Sequence, residues 1–138
     1  MGKVTATIHI TNEVDQILAE RGFIPSEQIR SIILHNVIVD TGASDLCLPE
    51  EVISELGLPL AGEIEGNTAS ETKNFRVFKN AFLSVEGRER AFNCIELPAG
   101  KEPLLGYFPL EALGLEPDLT KQQLRILPNK GRQSYIRV

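Results

Sequence analysis

From Val4 to Ile10 the chain alternates, with Val4, Ala6, Ile8 and Ile10 on one face and Thr5, Thr7 and His9 on the other. That two-residue period predicts a strand with one buried side. Ile29 to Val39 is dense in Ile, Leu and Val and predicts a second strand, which stops at Asp40. Leu46-Cys47-Leu48 predicts a third, short one. Pro49 to Gly57 predicts a helix: proline opens it, Glu50 and Glu51 fill its first turn, Val52, Ile53 and Leu56 share a face, and Gly57 stops it. A polar stretch over 61–74 carries a turn signal at Gly66-Asn67. Two strands follow, about Phe75 to Val85 and Arg88 to Leu97, joined at Glu86-Gly87. Beyond Leu104-Leu105-Gly106, a second short helix is predicted over Pro109 to Leu113, stopped by Gly114, and a last strand over Gln123 to Leu127. Residues 11–28 are polar and mixed. Glu13 to Glu20 fits a short helix ended by Gly22 or, equally, a long surface excursion, and Pro25-Ser26-Glu27 breaks the pattern again.

The 138 residues fit one domain, 1–138, able to bury a core of its own. A net charge of −5 argues against nucleic acid and against an anionic membrane surface as partners. No apolar run reaches the ~20 residues of a membrane span. The first residues contain no signal-peptide core, and Ala6 stands where N-acylation wants Ser or Thr. Cys47 and Cys94 are read as two free core thiols, and the chain is placed in the cytoplasm by default.

The candidate chemistry sits at Val39-Asp40-Thr41-Gly42-Ala43-Ser44, after Val37 and Ile38. An apolar β-branched run ends at a carboxylate, and a hydroxyl residue and a glycine follow at once. This sets an acid at the mouth of a buried strand, on a turn that glycine eases. There is an echo downstream. Asp40-Thr41-Gly42 leads to a helix that closes with Leu56-Gly57-Leu58, and Leu104-Leu105-Gly106 to one that closes with Leu113-Gly114-Leu115. Other sites find little support. His9 and His35 lie far apart without neighbouring Cys or Asp, so no metal is expected. Ser44 and Ser70 lack a Gly-x-Ser-x-Gly context. Glu50, Glu51 and Glu55 read as a solvated helix face, and Lys130, Arg132 and Arg137 as a solvated tail.

On Asp40-Thr41-Gly42-Ala43-Ser44 and Leu104-Leu105-Gly106 with its helix, the chain resembles the retropepsin-like aspartic proteases, including their small bacterial members. The resemblance runs from about Ile29 to Leu127 and leaves 11–28 as a possible insertion. It implies a mainly β fold, a closed barrel with one or two short helices, and an endopeptidase that hydrolyses peptide bonds without metal or cofactor. Two carboxylates share one proton in such a site; one activates water and the other protonates the carbonyl.

The chain has four aspartates, Asp15, Asp40, Asp45 and Asp118, and only Asp40 is followed by Thr-Gly. A dyad therefore needs Asp40 of a second copy, which predicts a two-fold homodimer acting on a peptide or protein substrate. By analogy, Val4 to Ile10 and Gln123 to Leu127 help form the dimer sheet. The resemblance assigns Asp40 as the catalytic acid and base, Thr41 as the hydroxyl that bonds across the axis, and Gly42 as support and peptide contact. Ala43, Ser44 and Asp45 line the groove, and a flap spans roughly Gly66 to Phe75 with Thr68 to Thr72 near its tip, where Ala69 and Ser70 contact substrate. Retroviral members usually carry an Asp–Arg ion pair where this chain has Ser44 and Tyr107, and the retroviral glycine-rich flap tip is missing. Two rival readings remain: a non-catalytic module that dimerises or grips an extended peptide, and a β domain in which Asp40 merely caps a turn.

Overall fold

Alternation does place the first strand. In a computed structural model, which describes residues 3–128, β1 (Thr5–Asn12) buries Ala6, Ile8 and Ile10 while Thr7 and His9 face solvent. It pairs antiparallel with β2 (Ser31–Val39), with a bulge opposite Ala6 to Ile8. Asn36, at φ 59°, absorbs that extra residue. All four residues of β3 (Leu46–Pro49) are buried. Helix α1 (Glu13–Glu20) settles the open reading of this segment in favour of a helix. In α2 (Glu50–Leu56) Val52, Ile53 and Leu56 point inward, and Gly57 ends the helix in the left-handed conformation at φ 64°.

Next comes a long hairpin of β4 (Leu60–Asn67) and β5 (Thr72–Val85), then β6 (Arg88–Leu97). Glu86 and Gly87 join β5 to β6 at φ 52° and 78°, the doubly positive geometry that suits the twist of a two-residue hairpin turn. The chain closes with β7 (Leu104–Leu105), α3 (Tyr107–Leu113), β8 (Leu115–Asp118) and β9 (Gln123–Ile126). The described residues thus hold three short helices where one or two were expected.

The strands run β1-β2-β7-β3-β6-β5-β4, and β1 also pairs with β5. The sheet is therefore a ring, with β4 hanging from β5. This is the mainly β architecture that the resemblance implied. Inside lie Ile8, Ile10, Leu46, Leu48, Leu56, Leu83 and Leu105, each without solvent contact. The order around β7 positions the site: β7 runs parallel to β2 on one side and antiparallel to β3 on the other. Two leucines are thus wedged between the strand that delivers the chain to Asp40 and the strand that carries it away.

Residues 11–28 divide. Thr11 and Asn12 belong to the ring, opposite Ser31 on β2 and opposite Phe82 and Ala81 on β5. What protrudes is α1 and the turn after it. Polar bonds hold it. Buried Asn12 caps α1 by accepting from the Asp15 N–H at 3.0 Å and donates to the Leu56 carbonyl at 2.8 Å. Buried Asp15 takes the Arg30 guanidinium in a two-pronged pair at 2.9 and 3.1 Å, plus the Arg30 N–H at 3.0 Å. That guanidinium lies against Gly57, where a Cβ would meet it at 1.9 Å.

At the other end, Gln123–Ile126 pairs with β8 of its own chain, and β1 already pairs with β2 and, over His9–Asn12, with β5. The tail with Lys130, Arg132 and Arg137, like Met1 and Gly2, lies outside the described residues. Among the described residues no helix is long and apolar enough to cross a membrane.

Candidate active site

Asp40 is the first residue beyond β2. Its N–H donates to the Leu105 carbonyl at 3.0 Å, so β7 fixes its height at the strand mouth. The chain then reverses: the Ala43 N–H donates to the Asp40 carbonyl at 3.1 Å. The Gly42 N–H donates to Asp40 Oδ1 at 2.9 Å. The side chain is half-buried, while Thr41 and Gly42 are exposed. Among the described residues Oδ2 of Asp40 has no hydrogen-bond partner.

Gly42 is needed for a different reason than the sequence suggested. Its φ lies outside the left-handed region. A Cβ there would instead sit 3.1 Å from Asp40 Oδ1, so glycine lets the carboxylate lie against the loop backbone.

The far side of the loop rests on β7 and α3. The Tyr107 N–H donates to the Ala43 carbonyl at 2.8 Å, and the Phe108 N–H to the Ser44 carbonyl at 2.9 Å. These bonds start α3 two residues before Pro109, whose missing N–H falls in the first turn, where none is required. Gly106 presses directly beneath: a Cβ would stand 2.3 Å from the Asp45 carbonyl and 2.7 Å from that of Ala43. Those are backbone atoms with nowhere to go. Leu105 and Gly106 thus shape the loop as much as any residue in it. The sequence carried the signal, in the Leu-Leu-Gly echo, without showing that the echo touches the first motif.

Ser44 and Asp45 are joined, the Ser44 hydroxyl donating to Asp45 Oδ2 at 2.6 Å. Beneath them lies Cys47, whose Sγ is 3.6 Å from the Asp45 carbonyl. Burial, then the charges of Asp45 and Asp40, push its thiol up to about 11. Cys47 and Cys94 are both free and buried, as expected. Cys47, however, is also close enough to feel both carboxylates, which its position in a short apolar strand did not reveal.

Ala69 and Ser70 lie at the exposed tip of the β4–β5 hairpin. Thr68 ties this tip: its N–H and hydroxyl donate to the Glu71 carbonyl at 2.8 and 2.9 Å, and its oxygen accepts from the Glu71 N–H at 3.1 Å. A hydroxyl-knotted turn thus stands where a glycine-rich tip was missing. Lower down, Arg76 grips Glu96 of β6 through two bonds of 2.8 and 2.7 Å. No hydrogen bond among the described residues joins the tip to the Asp40 loop. The structure therefore gathers Asp40 through Asp45 with Gly106 to Phe108 and leaves Ala69 and Ser70 on the hairpin. The described residues hold no group of three or more His, Cys, Asp or Glu able to bind a metal ion.

A family model for aspartyl proteases matches residues 33–108, from the middle of β2 through Phe108. That is more than half the chain. The chain belongs to the aspartyl protease family, of retropepsin-like type. No curated protein matches it. The aspartyl protease match contains the Asp40 loop, the β4–β5 hairpin, β7 and the start of α3, so all the contacts just described lie inside it.

Proposed function

We propose that the chain is an aspartic endopeptidase that works as a homodimer, with one Asp40 contributed by each copy. The observation that carries this reading is the state of the four aspartates. Asp15 is engaged by Arg30, Asp45 by the Ser44 hydroxyl, and Asp118 Oδ1 accepts the N–H groups of Thr120 and Lys121 in its own turn. Asp40, Asp45 and Asp118 each keep one oxygen without a hydrogen-bond partner among the described residues, but of the four only Asp40 stands at the mouth of β2, held there by the Leu105 carbonyl and followed by Thr-Gly. One chain thus offers one suitable carboxylate, and the chemistry needs two.

Two Asp40 groups brought close together cannot both ionise, so the pair holds a single proton and titrates as a unit. The ionised member takes a proton from water as its oxygen attacks the peptide carbonyl carbon. The neutral member gives its proton to the carbonyl oxygen, so the tetrahedral intermediate is a neutral diol. Collapse returns a hydroxyl proton to the dyad, the other proton goes to the leaving nitrogen, and the C–N bond breaks. The Gly42 N–H, already bonded to Oδ1, orients each carboxylate. Ala43, Ser44 and Asp45 would edge the groove. The hairpin tip with Ala69 and Ser70 would close over an extended peptide and exclude water.

The bond from Gly42 to Asp40 Oδ1 also suits the rival reading, a simple turn cap. Asp40→Asn separates the two, because asparagine keeps the Oδ1 acceptor and loses the acid. Incubation with denatured casein across about pH 4 to 7 should show cleavage by the parent, and none by an equally stable Asp40→Asn variant. A well-folded dimeric parent that cleaves nothing would leave the non-catalytic peptide-binding module standing.

A further inference from the structure

β5 has different neighbours above and below Asn80. From Ala81 to Ser84 it pairs with β1, and from Thr72 to Phe78 with β4. The ring strand becomes the arm of the hairpin at Lys79 and Asn80, where the ladder to β6 slips between Phe78 and Ala81. Asn80 takes the left-handed conformation at φ 63°, which asparagine tolerates better than most residues. The Lys79 N–H turns to the Pro59 carbonyl at 2.9 Å. β4 slips at the same level, between Leu60 and Gly62. A bulge bends its strand and interrupts the ladder, so these two, side by side, make a hinge at the base of the arm. Beyond it the arm pairs with β6 only through Val77 opposite Ile95 and Phe78 opposite Cys94.

Helix α1 reaches this hinge. Asn80 Nδ2 donates to Glu13 Oε1 at 2.7 Å, in a part-buried setting, and a carboxylate acceptor makes such a bond stronger than a neutral one. Glu13 opens α1 directly after Asn12, which faces Ala81 on the last rung between β1 and β5. Its helix is held from behind, by Asn12 on the Leu56 carbonyl and by Asp15 on Arg30. An anchored carboxylate therefore grips the side chain of the hinge residue. Helix α1 lies outside the stretch 33–108 that matches the aspartyl protease family, whereas Asn80 and the hairpin lie inside it. We infer that the Glu13–Asn80 bond is a brace through which α1 sets the angle of the β4–β5 hairpin, making both residues positioning residues for peptide binding. This rests on the reading that the hairpin closes over the substrate. Loosening the hinge populates arm angles that do not grip the peptide, and apparent affinity falls with the competent fraction. The Asp40 acid and base are untouched, so KM carries the effect rather than kcat.

The test compares the parent with Asn80→Gly, Glu13→Ala, the double variant and Glu13→Gln. Glycine adopts φ 63° without strain and removes only the amide, and glutamine keeps the Oε1 acceptor. In both single removals, amide exchange from Val77 to Lys79 should quicken about fivefold or more, the effect of losing one hydrogen bond to a charged group. Exchange in β1 and β2 should stay at parent rates. KM for denatured casein should rise by a similar factor, with kcat within about twofold. The double variant should be no worse than the worse single one, because both changes remove the same bond. Glu13→Gln should stay within about twofold of the parent. Parent-like exchange and KM in the folded single variants would overturn the inference. Quickening spread evenly through β1 and β2 would overturn it too, by assigning the bond to general stability, as would a loosened arm in an active enzyme whose KM does not move. A parent that cleaves nothing would end the protease reading alone, and the exchange rates and the double variant would still decide the brace.

Discussion

Gly106 shows what a single absent carbon does here. A Cβ at this position would overlap the carbonyls of Asp45 and Ala43, and backbone inside the ring cannot yield without moving the loop. Gly106→Ala should destabilise the fold by about 1–3 kcal/mol, as overpacking of a tight site does, and should abolish cleavage. A urea midpoint shift with an unchanged slope measures the first, and the casein assay the second. Asp15 is the other residue with a disproportionate role. Its carboxyl is held below the usual carboxylate value of 3.8, first by the Arg30 side-chain hydrogen bond, against the opposing cost of burial. A lowered native pKa means stability that is fully present above about pH 4 and lost as the pH falls through the native value. Asp15→Asn should therefore cost about 2 kcal/mol at pH 7, and the gap from the parent should narrow in acid, below about pH 4. Urea unfolding at neutral and at acid pH checks both the size and the sign; a gap that widened in acid would refute the assignment.

At the level of elements, the strand into Asp40 and helix α2 were legible because their signals are local. β-branched density ends at an acid in the one, and proline, acids and glycine punctuate the other. Helix α1 was only one of two open readings, because its outward side carries Val14 and Ile17, both well exposed. Its anchors are polar, and the pair that matters most joins residues 15 positions apart, where no hydropathy period looks. β7 was half legible. Two residues are too few for a period, and only the ring order shows that they separate β2 from β3. The C-terminal hairpin is anchored in a similar non-local way. The Arg88 guanidinium, on β6, donates to the carbonyls of Leu113 and Gly114 at 3.0 Å and of Leu127 at 2.6 Å. One side chain thus ties the end of α3 and the end of β9 to the ring. Arg88→Ala should cost about 2–3 kcal/mol, since it leaves part-buried carbonyls without a charged donor. Hydrogen exchange should quicken in β8 and β9 before it does in β1 or β2. Uniform quickening throughout the ring would show that Arg88 holds the whole fold rather than this hairpin.

The whole molecule poses one question: whether a single chain is the catalytic unit. Of the four aspartates only Asp40 stands at the mouth of β2 and is followed by Thr-Gly, so under the proposed mechanism one chain offers half a dyad. Mixing makes this measurable. Asp40→Asn keeps the Oδ1 acceptor for Gly42, so its subunits should exchange freely with parent subunits. A dimer with one asparagine has a single acid, which cannot both activate water and protonate the carbonyl. When an equal amount of Asp40→Asn is added to a fixed amount of fully dimeric parent, random pairing leaves roughly half of the original parent–parent dimers. Cleavage should fall to about half, and a large excess of the variant should drive it toward zero. A site complete within one chain would ignore the added variant altogether. The titration therefore tests the shared proton directly, because an inert partner can poison only a reaction that needs it.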